Sequence, residues 1–532
     1  KNMTAMKKQF NKYIGGLVIL IALVAGSCTD LSETVYSELL AEQFVPTEKD
    51  LPAIIAPVYT GMRGMMAGWQ GMFDLQEEPA DQIVTPARPN GWYDGGTYQR
   101  MHKHTWTPTQ WQPQNLWNNC YRGINTANRV IYQIESGEIP MTTGKENLLA
   151  ELRAVRAYYY SVLLDTHGNV PIVDDYKDVE LPEQATRQQV YDFVVSELTT
   201  VIPLLTETVD KTTYGRFTRW AAKATLARVY LNAQVYTGTP QRALCISECN
   251  DIIASAKYQL ETYYRDIFKT ANENSKEIIF AVPYDETKAT GWQIHMKTLD
   301  PLSRLVFKME AQPWGGNCAV PQWIDTYDPE DQRLKDTWIQ GPQYNPDNGN
   351  LVIDYVKTVK DIDLAASNQG YRIGKYEIKI GAKAALSNDY VVFRYADVLM
   401  MKAECLLRAG FEDDAALIVS EVRARSFRAN PEKATVTGSQ LLEGSSYNYG
   451  YVVNGEVTEA EGGDDIQYGR FLDELGWEFA AEGRRRTDLV RFGVFHTKTW
   501  FNHRPTSIEK ALFPIPQTEI NKNPNLTQNP SY

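Results

Sequence analysis

Apolar residues that recur every three or four positions leave a chain few ways to fold, and this one carries four such runs in succession. Trp117, Tyr121, Ile124, Asn128, Ile131 and Ile134 mark one face, and Gly137 follows as a stop. Leu148, Leu152, Val155, Tyr159 and Val162 mark the next, closed by Gly168 as a C-terminal cap and by Pro171, which forbids continuation. Val190, Val194, Leu198, Val201 and Leu205 share a third face. The fourth run is lined by Ala221, Ala224 and Ala227, small enough for two helices to approach closely, with Trp220, Val229 and Leu231 arguing against a surface helix. Hairpins of this length stack into tetratricopeptide-like solenoids, although the spacing is not a clean 34-residue repeat. The expected fold is therefore mostly α, a helical-hairpin scaffold with a loop-rich ligand-binding half and minor short strands.

From Tyr258 to Asp389 the helical period disappears. "KEIIFAVPYD" reads as a short strand, and Gly, Asn, Pro and aromatic residues then dominate. A loop-rich insert on a rigid scaffold is where binding residues are commonly carried. Helices return in "VVFRYADVLMMKAECLLRAG" and "AALIVSEVRARSF", and "LDELGWEFAAEGRRRTDLVRFG" reads as a last long helix. In it, Glu478 and Glu482 precede Arg485 and Arg486 at ion-pair spacing, and upstream Arg394 and Asp397 are three apart and can face each other. The tail "ALFPIPQTEINKNPNLTQNPSY" holds too many prolines for helix and is expected to dock as irregular chain.

Ahead of all this lies "LVILIALVAGSCTDLSE". The apolar run, Tyr13 to Ala25, is about a dozen residues, against roughly 20 for a membrane-spanning helix. Lys7, Lys8 and Lys12 precede it and Ala25, Gly26 and Ser27 follow, the layout of a secretory signal. Small residues directly before Cys28 resemble a bacterial lipoprotein signal, in which the cysteine is lipidated and the chain cut just before it. A cleaved signal with an incidental cysteine is the alternative. The expected organisation is a leader over residues 1–27 and one domain over 28–532. That domain divides into a helical part, 29–257, with a binding loop at 74–110; the insert, 258–390; and C-terminal helices with a docked tail, 391–532.

A net charge of −12 argues against nucleic acid, which needs a basic face. The 12 Trp and 31 Tyr suit a surface that grips amphipathic ligands. Cys120 and Cys405 sit in helical patterns and read as buried thiols. Cys245 and Cys249 are one turn apart without a histidine pair, so no metal site and no cofactor is expected.

Seven stretches, in order, carry a resemblance: "WNNCYRGINTANRVI", "AELRAVRAYYYSVLLDTHGNVPIV", "GRFTRWAAKATLARVYLNA", "NSKEIIFAVPYD", "FRYADVLMMKAECLLRAG", "ELGWEFAAEGRRRTDLVRFG" and "LFPIPQTEINKNPNLTQNPSY". The chain resembles the SusD/RagB family, surface glycan-binding lipoproteins of Bacteroidetes, over nearly its whole length. The resemblance implies binding without catalysis, an outer-membrane location facing the exterior, and a SusC-like TonB-dependent transporter as partner. It also implies a polysaccharide or oligosaccharide ligand, delivered for nutrient uptake.

Binding candidates lie in "DQIVTPARPNGWYDGGTYQRMHKHTW", residues 81–106. A sugar offers an apolar C–H face to an aromatic ring and hydroxyls to carboxylate, amide or guanidinium groups. Asp81, Arg88, Asn90, Trp92 and Asp94 supply that mixture, and the resemblance places ligand contacts in this part of the chain. Trp92 and Tyr93 could instead plug the loop against the scaffold. A second set lies in the insert: Tyr284, Trp292, Trp314, Asn317 and Trp323, with "PWGGN" presenting Trp314 on a Gly-rich loop; Trp323 and Trp338 also suit the core. The run Arg484 to Arg486 suggests either an anionic ligand or a fold-stabilising network. His102 and His104 lack an obvious third metal ligand. Other function readings are a glycosidase, which needs a carboxylate pair, a peptide-binding member of the same family, and a scaffold for a protein partner alone.

Overall fold

The helical periods of the sequence become a continuous row of helices in the computed structural model, which describes residues 50–532 apart from Asn90 and Gly91. Helix accounts for 44% and strand for 9%, so the fold is mostly α as expected. The elements used below are α1 (Leu51–Met65), α2 (Met72–Glu77), β1 (Ile83–Val84), α3 (Thr97–His102), α4 (Trp111–Glu135), α5 (Lys145–Thr166), α6 (Arg187–Val201), α7 (Arg219–Leu231) and α8 (Arg242–Ala254). They continue with β2 (Ile278–Val282), α9 (Ile294–Thr298), β3 (Cys318–Ala319), β4 (Tyr390–Arg394), α10 (Tyr395–Leu407), α11 (Glu412–Ala424), α12 (Gly469–Phe479) and α13 (Arg485–Arg491).

Each helix of the scaffold leans on the next: α1 on α4, then α4 through α8 in sequence, then α8 on α10 and α10 on α11. That is the solenoid the spacing predicts. Local chemistry sets the boundaries. The Gly168 N–H closes α5 onto the Leu163 carbonyl at 2.9 Å. Thr186 and Gln189 form a capping box at the start of α6. In α7, Ala221, Ala224 and Ala227 are all fully buried, which lets α7 sit against α5, α6, α8 and α10 at once. Among the described residues no helix is long and apolar enough to cross a membrane.

The insert folds as short pieces on this scaffold. "IIFAV" forms β2, paired antiparallel with β4 from Ile278 opposite Arg394 to Val282 opposite Tyr390. β1 pairs antiparallel with β3, joining residues 83–84 to residues 318–319. Trp323 and Trp338 are buried in the core, as are the thiols of Cys120, Cys245, Cys249, Cys318 and Cys405.

Two expectations about charge are corrected. The last long helix is two helices, because α12 ends at Phe479 and the chain turns through positive φ at Ala481 and Gly483. Glu478 and Glu482 therefore do not face Arg485 and Arg486. Instead both glutamates converge on Arg394, whose Nη1 lies 2.7 Å from Glu478 Oε1 and 2.9 Å from Glu277 Oε1, while Nε lies 2.9 Å from Glu482 Oε2. Arg425 and Arg333 add cations at Glu478, at 2.6 and 3.2 Å. Burial raises the Glu478 carboxyl, but Arg425, Arg394 and Arg333 outweigh it and hold it well below the usual range. Nor does the Arg394 guanidinium meet Asp397. The Asp397 carboxylate accepts the Arg394 backbone N–H at 3.0 Å and pairs with Arg228 and Arg484.

The basic run is a set of internal ties. Arg484 reaches Asp397 on α10, Arg485 reaches Asp81 ahead of β1, and Arg486 reaches Asp165 at the end of α5, at 2.9, 2.7 and 2.9 Å. Three consecutive side chains thus fasten three separate segments to α13.

His102 and His104 are interior residues beside His503; the His104 and His503 rings lie 4.1 Å apart, and the His104 Nε2 is 2.7 Å from the Pro79 carbonyl. Among the described residues no cluster of three or more His, Cys, Asp or Glu is arranged to hold a metal.

Two predictions follow from these buried charges. Arg394→Ala leaves Glu277, Glu478 and Glu482 short of a cation and is expected to lower stability by about 3–5 kcal/mol. An unchanged urea midpoint for this variant would contradict that. The second concerns acid. Burial pulls His102, His104 and His167 down to about 3 and His295 down to about 4. Their contribution to stability is whole above the unfolded value of 6.5 and is lost as pH falls below it. Glu77 and Asp473, raised by burial to about 7 and about 6, act oppositely: their contribution is present in acid and lost as pH rises through those values. Four histidines outweigh two carboxyls, so by pH 5 stability should fall by about 2–3 kcal/mol per pH unit. Thermal melts from pH 7 to pH 5 check this; a constant Tm refutes it.

Candidate functional site

Three tryptophans from segments far apart in sequence meet at the surface. Trp69 comes from the turn between α1 and α2, Trp92 from the loop before α3, and Trp314 from the insert. Their ring centroids are 5.9 Å apart for Trp69 and Trp92, 5.1 Å for Trp69 and Trp314, and 5.4 Å for Trp92 and Trp314. The planes are inclined to one another by 82°, 65° and 55°, so the rings form a cup and not a flat platform. They line an open cleft of about 530 Å³, completed by Tyr93, Asp94, Pro301, Gln312 and Pro313. Tyr93 is 59% exposed, a tall ring standing at the rim. Trp111 and Tyr98 back the cup, with Tyr98 5.5 Å from Trp92 and Trp111 6.3 Å from Trp69.

The local chain makes this convergence possible. Gly68, directly before Trp69, has φ +81° with its α-carbon against Ile294, where a Cβ would lie 2.8 Å from the Ile294 nitrogen. Gly315, directly after Trp314, has φ +72° and a Cβ there would press on Pro301 at 3.2 Å. Both turns need a residue that tolerates the left-handed region and close approach.

The short helix α9 holds the walls together. Its carbonyls at Met296 and Lys297, with that of Leu299, accept the N–H groups of Trp314, Gly316 and Gly315 at 2.7, 2.7 and 2.8 Å. Just ahead of α9, Gln293 accepts the Trp69 indole N–H at 3.0 Å. Below the cup, the fully buried Lys297 ammonium donates to Asp74 at 2.7 Å and to Glu78 at 2.6 Å, both carried by or next to α2. The same ammonium lies 4.2 Å from the Tyr98 ring centroid, and the Tyr98 hydroxyl donates to Asp74 at 3.2 Å. Burial pulls Lys297 down, but the Asp74 and Glu78 carboxyls outweigh it and keep it above the usual lysine value.

Of the residues expected to bind ligand, Trp92 and Trp314 line the cleft together with Asp94. Six others are interior. Asp81 is fully buried: Arg485 donates to both its oxygens at 2.7 and 2.9 Å, and Tyr449 donates at 2.8 Å. Arg88 sits behind the Trp314 loop, where it donates to the carbonyls of Gly316, Ala366 and Gln369; burial, then the nearby Arg372, lower it to about 10. The Tyr284 hydroxyl donates to the Arg63 carbonyl at 2.7 Å, and Trp292 is wholly enclosed by Tyr284, Tyr376 and Tyr390. Asn317 and Trp323 are buried as well. Asn90 and Cys28 lie outside the described residues. Trp69 belongs to the cup without having been expected there. Its signal is "GWQG", residues 68–71, an aromatic next to a glycine, as Trp314 is in "PWGG".

Comparison with known proteins follows the same division of the chain. Residues 36–231 match a family model described as "Starch-binding associating with outer membrane", and residues 276–509 and 493–532 match that of the SusD family. The starch-binding protein SusD of Bacteroides thetaiotaomicron is 24% identical over 512 residues, covering 86% of this chain and 85% of that protein. Among solved structures, surface glycan-binding protein A of Bacteroides thetaiotaomicron, in complex with laminarihexaose, superposes with a TM-score of 0.67 at 22% identity. The superposition covers 91% of this chain and 99% of that one. A laminarin-binding SusD-like protein superposes with a TM-score of 0.70 at 21% identity, over 92% of this chain and all of that one, 100%. These superpositions establish a shared fold. With both halves of the chain matched in order, the protein belongs to the SusD family.

Proposed function

We propose that this protein is a non-catalytic glycan-binding protein of the outer-membrane surface, and that the tryptophan cup is where the glycan sits. The observation that carries the reading is the convergence of Trp69, Trp92 and Trp314 on one open cleft with hydroxyl-matching groups, Asp94 and Gln312, at its edge. Indole faces cover the apolar side of a pyranose ring, while carboxylate and amide oxygens accept from its hydroxyls. Two relatives named above, one described as starch-binding and one held with laminarihexaose, lend the reading chemical company.

A binding role fits the acidic groups of the cleft better than hydrolysis. Asp94 is the one carboxylate among the described residues lining it, whereas glycosidases set two about 5–10 Å apart across the bond. In the fuller scheme, the leader over residues 1–27 is removed and Cys28 carries the lipid. The domain then passes its oligosaccharide to a SusC-like TonB-dependent transporter. More than one acyl chain makes such an anchor durable, at about 0.8 kcal/mol per buried methylene.

Trp92→Ala and Trp314→Ala are each expected to weaken retention in glycan-containing affinity gels by about 10-fold or more, about 1.4 kcal/mol. Their melting temperatures should stay near that of the parent, since both rings are only partly buried. Trp292→Ala reverses the pattern, losing about 3–5 kcal/mol of stability through a core cavity. Unchanged retention for both cup variants, against a glycan the parent binds, would remove the cleft from the reading.

A further inference from the structure

We infer that the tryptophan cup selects neutral saccharides and rejects chains bearing carboxylate or sulfate groups. The inference rests on the glycan reading above and adds the chemical class of the sugar.

The argument is one of charge. The lining of the cleft is Trp69, Trp92, Tyr93, Asp94, Pro301, Gln312, Pro313 and Trp314; its single formal charge among the described residues is the exposed carboxylate of Asp94. Recognition of an anionic sugar calls for the opposite, a guanidinium or ammonium that meets the anion directly. The basic side chains on the neighbouring segments each have protein partners of their own: Arg372 donates to the carbonyls of Gly316, Asn317 and Ser367, and Arg304, on the turn after Pro301, donates from Nε to the Met309 carbonyl at 3.2 Å. Lys297, under the floor, is fully buried and shared between Asp74 and Glu78, so the buried group brings two carboxyls for one ammonium. Arg88 is buried behind the Gly316 loop and spends its guanidinium on three carbonyls. Arg100, beneath the turn that carries Asp94, donates from Nη1 to the Gly95 carbonyl at 2.9 Å and from Nε to Gln110 at 3.2 Å. None of these cations is among the residues that line the cleft.

An anion seated on the indoles would thus leave water, meet no cation, and stand close to Asp94. Desolvation and like-charge repulsion both oppose it. A neutral sugar meets neither penalty, and its hydroxyls donate to Asp94 and exchange with the Gln312 amide. The chain's net charge of −12 adds repulsion at longer range.

The test compares matched ligands. Laminarin, soluble starch, xylan and galactomannan are screened by affinity electrophoresis and calorimetry. Any that binds is then oxidised at its primary hydroxyls or, where it has none, carboxymethylated, and the carboxylates are methyl-esterified in a parallel batch. At low ionic strength the carboxylated chain should bind at least 10-fold more weakly than its parent, and the ester, larger by a methyl group but uncharged, should regain most of the loss. Raising salt to about 0.5 M, where charges are screened within a few ångströms, should narrow the gap, and so should Asp94→Asn. A carboxylated chain that binds as well as its parent, or better, overturns the inference and leaves the glycan reading standing. Loss of its binding in Arg100→Gln would then name the cation responsible. An ester as weak as the carboxylate also overturns the inference, by tracing the loss to shape. Failure of every neutral and anionic glycan to bind removes the glycan reading, and the inference goes with it.

Discussion

The Arg394 guanidinium is the joint on which the two kinds of architecture in this chain depend. It ends β4 and begins α10, so it stands where the loop-rich insert hands back to the solenoid. Around it gather Glu277 from the residue before β2, Glu478 from α12 and Glu482 from the turn before α13. Arg425, just past α11, closes the ring on Glu277 and Glu478. A buried ion cluster of this kind adds little net stability over apolar packing, because desolvation offsets most of the attraction. Its leverage lies in what it forbids. Three glutamates can be buried only if the cation is among them, so any arrangement of insert against solenoid that separates them leaves a bare charge in the interior.

The same device, repeated at α13, positions the floor of the cleft. Asp81 hangs from Arg485 at the start of the loop that carries Trp92, and Asp165 at the end of α5 hangs from Arg486. Glu77 at the end of α2 accepts the Gly483 and Arg484 backbone N–H groups at 2.7 and 3.1 Å. Residues 74–85 are thereby pinned from below by the C-terminal part of the chain and from above by Lys297. A surface loop fixed at both levels presents its aromatic ring in one place, which lowers the ordering cost a ligand must meet on binding.

How much of this could be read from residues alone divides along a physical line. Helices announce themselves through period and caps, and α4 to α7 fall where Trp117, Leu152, Val194 and Ala224 place them. The failures share one cause: residue type does not report burial. Asp81 and Arg88 look like sugar-binding groups because they sit among Pro, Gly and Trp, yet each is neutralised or consumed by partners over two hundred residues away. Tyr284 and Trp292 look like platform aromatics and are core. Glu478 and Arg485 look like an intrahelical pair until a turn at Ala481 separates them. Trp92 and Trp314 were legible as rings that line a surface cleft, because their glycine-flanked loops leave an indole nowhere to pack locally, and Trp69 carries the same mark in a stretch where methionines draw the eye to the core.

What remains is why a five-residue helix should organise a site. α9 is too short to be stable alone, since helix nucleation costs more than one turn returns. Its stability is lent by the groups it joins: carbonyls taken by the 314–316 loop, the Lys297 side chain by α2, and the adjoining Gln293 by Trp69. Each tie is local to one wall of the cleft, and α9 is where they meet. Displacing the Trp69 turn or the 314–316 backbone therefore pulls on the helix that holds the other, so these two walls of the cup behave as a unit. That unity follows from an ammonium buried between two carboxyls, the same arrangement that leaves the cleft above it without a cation to offer.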